Sequence, residues 1–281
     1  MTTLVVARWT VTEAVSRRLV LAAILLSAAF VGLFTLAFSI LYAKAEAEPD
    51  AECIFAVFAA TLLTVLGLYA VQFLAAFLAL LLSTGAISGE VESGTLHAVL
   101  ARPLGRGQYL LGRWIASVAL VSVYVVVMAG SLLLVARLVA GYQPVDPVRA
   151  VALLVLEMVL LLTAGLLGST FLPTLANAVV LFSLFGLAWL GGIVEFIGQT
   201  VANQTLANLG IAVSLLFPSD AIWRAASYYL QPPTFLGEAV TRGGIPFAAL
   251  TPPTTALLLW ALAYPVAALL TALRTFARRD L

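Results

Sequence analysis

The sequence predicts an all-α integral membrane protein with six membrane-spanning helices, and three observations predict it. Of 281 residues, 63% are apolar and only 10% are charged, where a soluble domain carries about 25% charge. Mean hydropathy is +1.12. The apolar residues come in six long runs, each near the ~20 residues needed to cross a bilayer, and they circle the helix instead of forming one stripe. A water-soluble fold could not hide that much apolar surface, which excludes a soluble enzyme, a disordered tail and a nucleic-acid binder.

The runs cover residues 19–42, 54–83, 110–140, 150–172, 175–198 and 254–273. The third is interrupted only by Arg113 and Arg137. Arg17-Arg18 followed by an apolar run imitates a signal peptide, but the run exceeds twenty residues. An h-region is about 7–15 residues long, so this segment reads as an uncleaved first span.

With an even number of spans both termini share a side. That side holds nine basic residues (Arg8, Arg17, Arg18, Arg102, Arg106, Arg113, Arg274, Arg278 and Arg279), against five on the other (Lys44, Arg137, Arg149, Arg224 and Arg242). The positive-inside rule places both termini in the cytoplasm. The expected organisation is a single transmembrane domain: an interfacial helix over 1–18, spans 1–2 over 19–83, a cytoplasmic loop over 84–109, and spans 3–5 over 110–198. Outer-face short helices over 199–253, span 6 over 254–273 and a cytoplasmic tail over 274–281 complete it.

Two pieces do not span. Residues 3–18 set Leu4, Ala7, Val11, Ala14 and Val15 against Arg8, Thr12, Glu13 and Ser16, the pattern of an amphipathic helix lying in the interface. Residues 199–253 are too long for a simple hairpin between helices. They hold an apolar stretch over 206–217, too short to span, and then Ser219 as a candidate N-cap for a helix ending at Leu230. Trp223, Tyr228 and Tyr229 suit headgroup level, so two short helices dipping into the outer leaflet are expected.

The cytoplasmic loop is the most informative stretch. From Ile87 it reads Ile-Ser-Gly-Glu-Val-Glu-Ser-Gly-Thr-Leu-His-Ala-Val-Leu-Ala-Arg-Pro-Leu-Gly-Arg, ending at Arg106. The second span continues below the membrane to Glu92 and reverses at Gly94. Thr95 then caps a helix of about two turns that Pro103 ends, with Leu96, Val99 and Leu100 on one face. A short, half-apolar helix held under the membrane by two long spans can be gripped by a soluble partner.

This loop resembles that of ABC-2-type permeases of ABC transporters, and within them the NosY-like branch. The resemblance rests on Glu90-x-x-Ser93-Gly94-Thr95-Leu96, followed by Arg102-Pro103-Leu104-Gly105-Arg106-Gly107-Gln108-Tyr109-Leu110-Leu111-Gly112-Arg113. A weaker match surrounds Pro218-Ser219-Asp220, where Phe217 and Trp223 stand in place of the branch's Asn and Phe. By motif the likeness covers about twenty-five residues, and by topology essentially the whole chain.

The resemblance implies a half-transporter and not itself an enzyme: two six-span subunits, as a homodimer or heterodimer, seated on separate ABC ATPase subunits in a bacterial or archaeal cytoplasmic membrane. Residues 95–101 would be the coupling helix. The ATPase-coupling residues would be Glu90, Glu92, Gly94, Thr95, Leu96, Val99, Leu100, Arg102 and Arg106, with Glu90 and Glu92 touching the ATPase or accepting from Arg102 or Arg106. The chain has no Gly-x-x-x-x-Gly-Lys-Ser/Thr, so ATP and magnesium belong to the partner and no cofactor is expected here. An exporter is expected, of amphipathic or lipid-like cargo or a peptide, or a device coupled mechanically to an outer-face protein. Copper is not indicated, with only Met1, Met128 and Met158 and no Cys/His cluster.

Three charges lie in or near spans. Glu157 is either functional or a pair for Arg137 at similar depth, and Glu195 is expected to reach headgroups. The competing readings are an ion-driven secondary transporter, which would need interrupted midplane helices and a repeat, and a lipid-acting membrane enzyme. The second needs convergent His, Asp, Glu or Cys, and His97 and Cys53 each stand alone in the sequence.

Overall fold

The structure is a computed structural model that describes residues 5–10, 12, 18–47, 53–92, 105–233, 235 and 247–278. The described residues form α1 (Arg18–Ala47), α2 (Cys53–Thr84), α3 (Ser88–Glu92), α4 (Arg106–Ala140), α5 (Pro147–Ser169), α6 (Thr174–Thr200), α7 (Gln204–Leu216), α8 (Ser219–Leu230) and α9 (Thr255–Arg278). Residues 5–10 are also helical. Six helices are long and apolar enough to cross a membrane, α2 being counted together with α3. The chain is an all-α integral membrane protein.

Helix ends follow the local chemistry. Asp146 accepts from the Arg149 amide at 3.1 Å with Pro147 opening α5, which fixes the start of that span. Gly141, at φ 62°, closes α4 in the left-handed conformation. Asn203 accepts from the amides of Thr205 (3.0 Å) and Leu206 (3.3 Å) and starts α7. Ser219 does not cap α8 as its residue type suggests. It is the first residue of the helix, fully buried, its hydroxyl without a hydrogen-bond partner among the described residues, and Pro218 occupies the cap position.

The bundle is built round α5. In its apolar window 61% is buried inside the chain, against 11% for α1 and 17% for α9, so those two are peripheral. Leu154, Met158 and Leu161 of α5 pack with Leu68, Val71, Ala75 and Ala76 of α2 and with Ile222, Trp223 and Ala226 of α8. Lipid tails are as apolar as Leu, so van der Waals fit and small residues must hold such helices together. The alanines of α2 serve that close approach.

The segment after α6 turns back. α7 has 13 residues, ~20 Å at 1.5 Å per residue, too short for a ~30 Å hydrocarbon core. It bends by 102° into α8, so the two short helices form a bent hairpin. α7 lies backbone to backbone on α6: a Cβ on Gly210 would sit 2.6 Å from the Gly191 carbonyl oxygen. The tip is knitted to neighbouring segments. The Trp223 indole donates to the Phe247 carbonyl at 2.7 Å, Ser227 Oγ accepts from the Ala249 amide at 3.0 Å, and Tyr142 donates to the Leu230 carbonyl. Burial pushes the Tyr142 hydroxyl up to about 12, so it remains a donor at neutral pH.

At the opposite end a separate cluster joins Val6, Ala86, Ile87, Tyr109, Leu110, Leu166, Ala272 and Phe276. It brings the helical residues 5–10 and the end of α9 together at one end of the bundle. Of the N-terminal segment it is Val6 that is buried, while Val5 and Trp9 are exposed. The expected apolar residues Leu4, Val11, Ala14 and Val15 lie outside the described residues.

Candidate functional site

The informative geometry lies where α2 leaves the bundle, at the end where Val6 meets the end of α9. After Thr84 a turn over 85–87 interrupts the helix, the amides of Ala86 and Gly89 donate to the carbonyls of Ser83 and Gly85, and α3 resumes for five residues. The predicted continuation to Glu92 is present, with this one break. Gly94, Thr95, Leu96, Val99, Leu100 and Arg102 lie outside the described residues, and with them the short helix expected over 95–101.

α3 is fastened on two sides. Toward α6, Glu92 Oε1 accepts from the Thr174 amide at 2.8 Å, and Ser88 Oγ and Thr174 Oγ1 share a hydrogen bond of 2.8 Å. Thr174 is the first residue of α6, whose cap residue Pro173 offers no side-chain acceptor. Glu92 therefore satisfies an end amide from another helix and places a carboxylate at the positive pole of the helix dipole. Toward α4, Glu90 accepts from the Tyr109 hydroxyl and from Arg113, whose guanidinium also lies 5.9 Å from the Tyr109 ring centroid.

Arg113 and Glu90 have side chains only 10% and 17% exposed, so their pairing is shielded from water. It differs from the exposed pairs that contribute little. The pairing expected for Glu90 was with Arg102, which lies outside the described residues, or Arg106; to this the structure adds a pair with Arg113. Tyr109 and Arg113 lie one turn apart on α4, so their side chains share a face. Arg106 donates to the Ala277 carbonyl at 3.4 Å, at the end of α9.

One layer deeper, Asn177 Nδ2 donates to the carbonyls of Thr84 and Gly165, both at 2.9 Å. This amide joins the ends of α2, α5 and α6. It fits because residue 168 is glycine: a Cβ there would lie 2.0 Å from Asn177 Oδ1. The turn between α5 and α6 is only residues 170–173, so its ends cannot separate without breaking these bonds.

The intramembrane charges are partnered differently from the sequence-based expectation. Glu157 is fully buried and accepts from Gln72 Nε2 at 2.7 Å, not from Arg137. Arg137 is exposed and donates to the side-chain oxygen of Gln143, at 3.1 and 3.3 Å with that amide oriented to accept. Matching depth was the basis for pairing them, but the two side chains turn to different faces. Glu195 does not reach for headgroups. It pairs with Arg224 Nη2 at 2.5 Å, and Arg224 Nε lies 3.0 Å from Asp220 Oδ2. The contact with Asp220 is electrostatic, since neither of those two atoms has a partner in hydrogen-bond geometry among the described residues.

Tyr109, Arg113, Ser88, Thr174, Asn177 and Gln72 were not singled out from sequence as one constellation. Arg113 and Gln72 did carry a signal, each being a strongly polar residue inside an apolar run.

The sequence profile of the ABC-2 family transporter protein matches residues 16–281. Two relatives share local similarity. The probable ABC transporter permease protein NosY of Stutzerimonas stutzeri is 43% identical over 72 residues, 25% of this chain and 26% of that protein. Its namesake in Pseudomonas aeruginosa is 56% identical over 43 residues, 15% of this chain and 16% of that protein. These matches span about a quarter and a sixth of the relatives' lengths. The six-span bundle and a profile match over nearly the whole sequence agree: the chain belongs to the ABC-2 family of transporter proteins.

Proposed function

We propose that this chain is the permease subunit of an ATP-driven ABC transporter, paired with a second permease copy and seated on separate ATPase subunits that supply ATP and magnesium. The observation that carries the proposal is the double fastening of α3. The segment entering residues 93–104 is tied by Glu92 and Ser88 to α6 and by Glu90 to α4. A force applied to that loop is delivered to three spans at once, because α3 continues α2. A loop that only connected two helices would need no such anchors. Missing phosphate-binding motifs and family membership support the same division of labour.

The mechanism is population shift. ATP closes the ATPase pair, the loop moves with it, and the α2–α3, α4 and α6 unit changes its packing on the rest of the bundle. ATP shifts the equilibrium only by its differential affinity for the two packings. The direction is export, the membrane is a bacterial or archaeal cytoplasmic membrane, and both termini face the cytoplasm, which the nine-to-five distribution of basic residues supports.

The test is co-expression with a candidate ABC ATPase, purification in lipid and measurement of ATP hydrolysis, alongside Leu96→Asp/Leu100→Asp. The expected result is a wild-type complex that hydrolyses ATP and a variant that no longer retains the ATPase. Equal retention of the ATPase by both proteins, or by neither, overturns the proposal.

A further inference from the structure

Two buried acceptors at the bundle centre face no donor among the described residues. Gln72 is on the twentieth residue of α2 and Glu157 on the eleventh of α5, both deep in their spans. They are 3% and 0% exposed. Gln72 Nε2 donates to Glu157 Oε1 at 2.7 Å. Gln72 Oε1 and Glu157 Oε2 are both buried and without a hydrogen-bond partner among the described residues. An ionised carboxylate offers acceptors only, as does an amide oxygen, so neither atom can satisfy the other.

One proton resolves both orphans. An acid and a primary amide can exchange two hydrogen bonds in a closed ring, the amide N–H to one carboxyl oxygen and the acid O–H to the amide oxygen. We infer that Glu157 carries a proton in this packing, its Oε2–H donating to Gln72 Oε1, so that Gln72 and Glu157 together form a proton-binding site between α2 and α5.

The neighbours suit a neutral pair, since among the described residues no salt bridge joins a cation to Glu157. Asp220 on α8 and Tyr69 on α2 are the ionisable groups that sense the charge of Glu157. Arg224 is engaged by Asp220 and by Glu195 of α6. From α9, Tyr264 packs against the same core, and Tyr124 of α4 is turned to Ser27 on α1. A bare carboxylate here would therefore be a buried charge without a counter-ion, a costly arrangement in a span.

The site does not depend on the ATPase proposal, and its test needs no partner. Infrared spectra of the purified full chain in lipid are recorded at neutral pH, where exposed carboxyl groups are ionised. The expected spectrum contains a carboxylic-acid carbonyl band that shifts on deuteration, is lost in Glu157→Gln and persists in Asp220→Asn. A band that survives Glu157→Gln, or no such band in wild type, overturns the inference. Gln72→Leu keeps the test decisive should Glu157→Gln fold poorly. The acid band then moves to higher frequency as its hydrogen bonds are removed, and an unmoved band refutes the ring.

Discussion

Replacing Arg224 with Met takes a guanidinium from between two carboxylates while keeping a flexible apolar stem. Arg224 lies 2.5 Å from Glu195 and 3.0 Å from Asp220, and the three side chains are 17%, 13% and 9% exposed in that order. Water can therefore replace little of what the cation supplies. Removing one partner of a buried ion pair costs about 3–5 kcal/mol, because the remaining charge is left uncompensated. Here two acids remain, and one of them can take up a proton, which limits the loss to the lower end, ~3 kcal/mol. At ~2–4 °C per kcal/mol for a chain of this size class, the melting midpoint in detergent should fall by ~6–12 °C.

The loss belongs to the unpaired acids and not to the missing arginine. Adding Glu195→Gln and Asp220→Asn to the Met variant should recover most of the midpoint. Since Glu195 is on α6 and Arg224 on α8, the single variant should also speed proteolysis in the α7–α8 hairpin. Were the single variant to melt within about 2 °C of wild type, under ~1 kcal/mol by the same scaling, the charge group would not be holding the hairpin. The shielding argument would then be wrong.

Three further outcomes follow from the same contacts. Gly192→Ala would place a Cβ 1.8 Å from Asp220 Oδ2, so it should displace Asp220 and lower thermal stability by ~1–3 kcal/mol. Asn177→Leu removes the donor to the Thr84 and Gly165 carbonyls, and a loss of ~2 kcal/mol should appear in the same melting assay, since each net bond is worth about 1 kcal/mol. Glu92→Ala should cost ~1 kcal/mol locally, read as faster hydrogen exchange of the amides at the start of α6, Thr174 first, with the rest of the bundle unchanged.

The spans were legible because lipid imposes one rule on all of them. Every backbone group must be paired within the segment, so a long apolar run has to be a helix. The ends were legible where a cap is local, as at Asp146 and Gly141. Side-chain partners were not, because pairing depends on helix rotation and on distant turns. Glu195 finds Arg224 across 29 residues only because α7 folds back on α6 at the Gly191–Gly210 approach and bends by 102° into α8. Depth alone suggested Glu157 with Arg137, while α2 presents Gln72 to that face instead. The Glu90–Arg113 contact lay within the recognisable loop segment. Its lengthwise separation of 23 residues hid that α3 and α4 lie side by side.

The central claim is that an ATPase grips the loop entered through α3. A photo-cross-linking residue placed singly at Leu96 or Leu100 in intact membranes tests it most directly, with Val148, 76% exposed at the opposite end of the bundle, as the comparison position. The account predicts light-dependent adducts to the ATPase from positions 96 and 100 and none from 148. Adducts from 148, or none from either loop position while the ATPase is present in the same membranes, would contradict it.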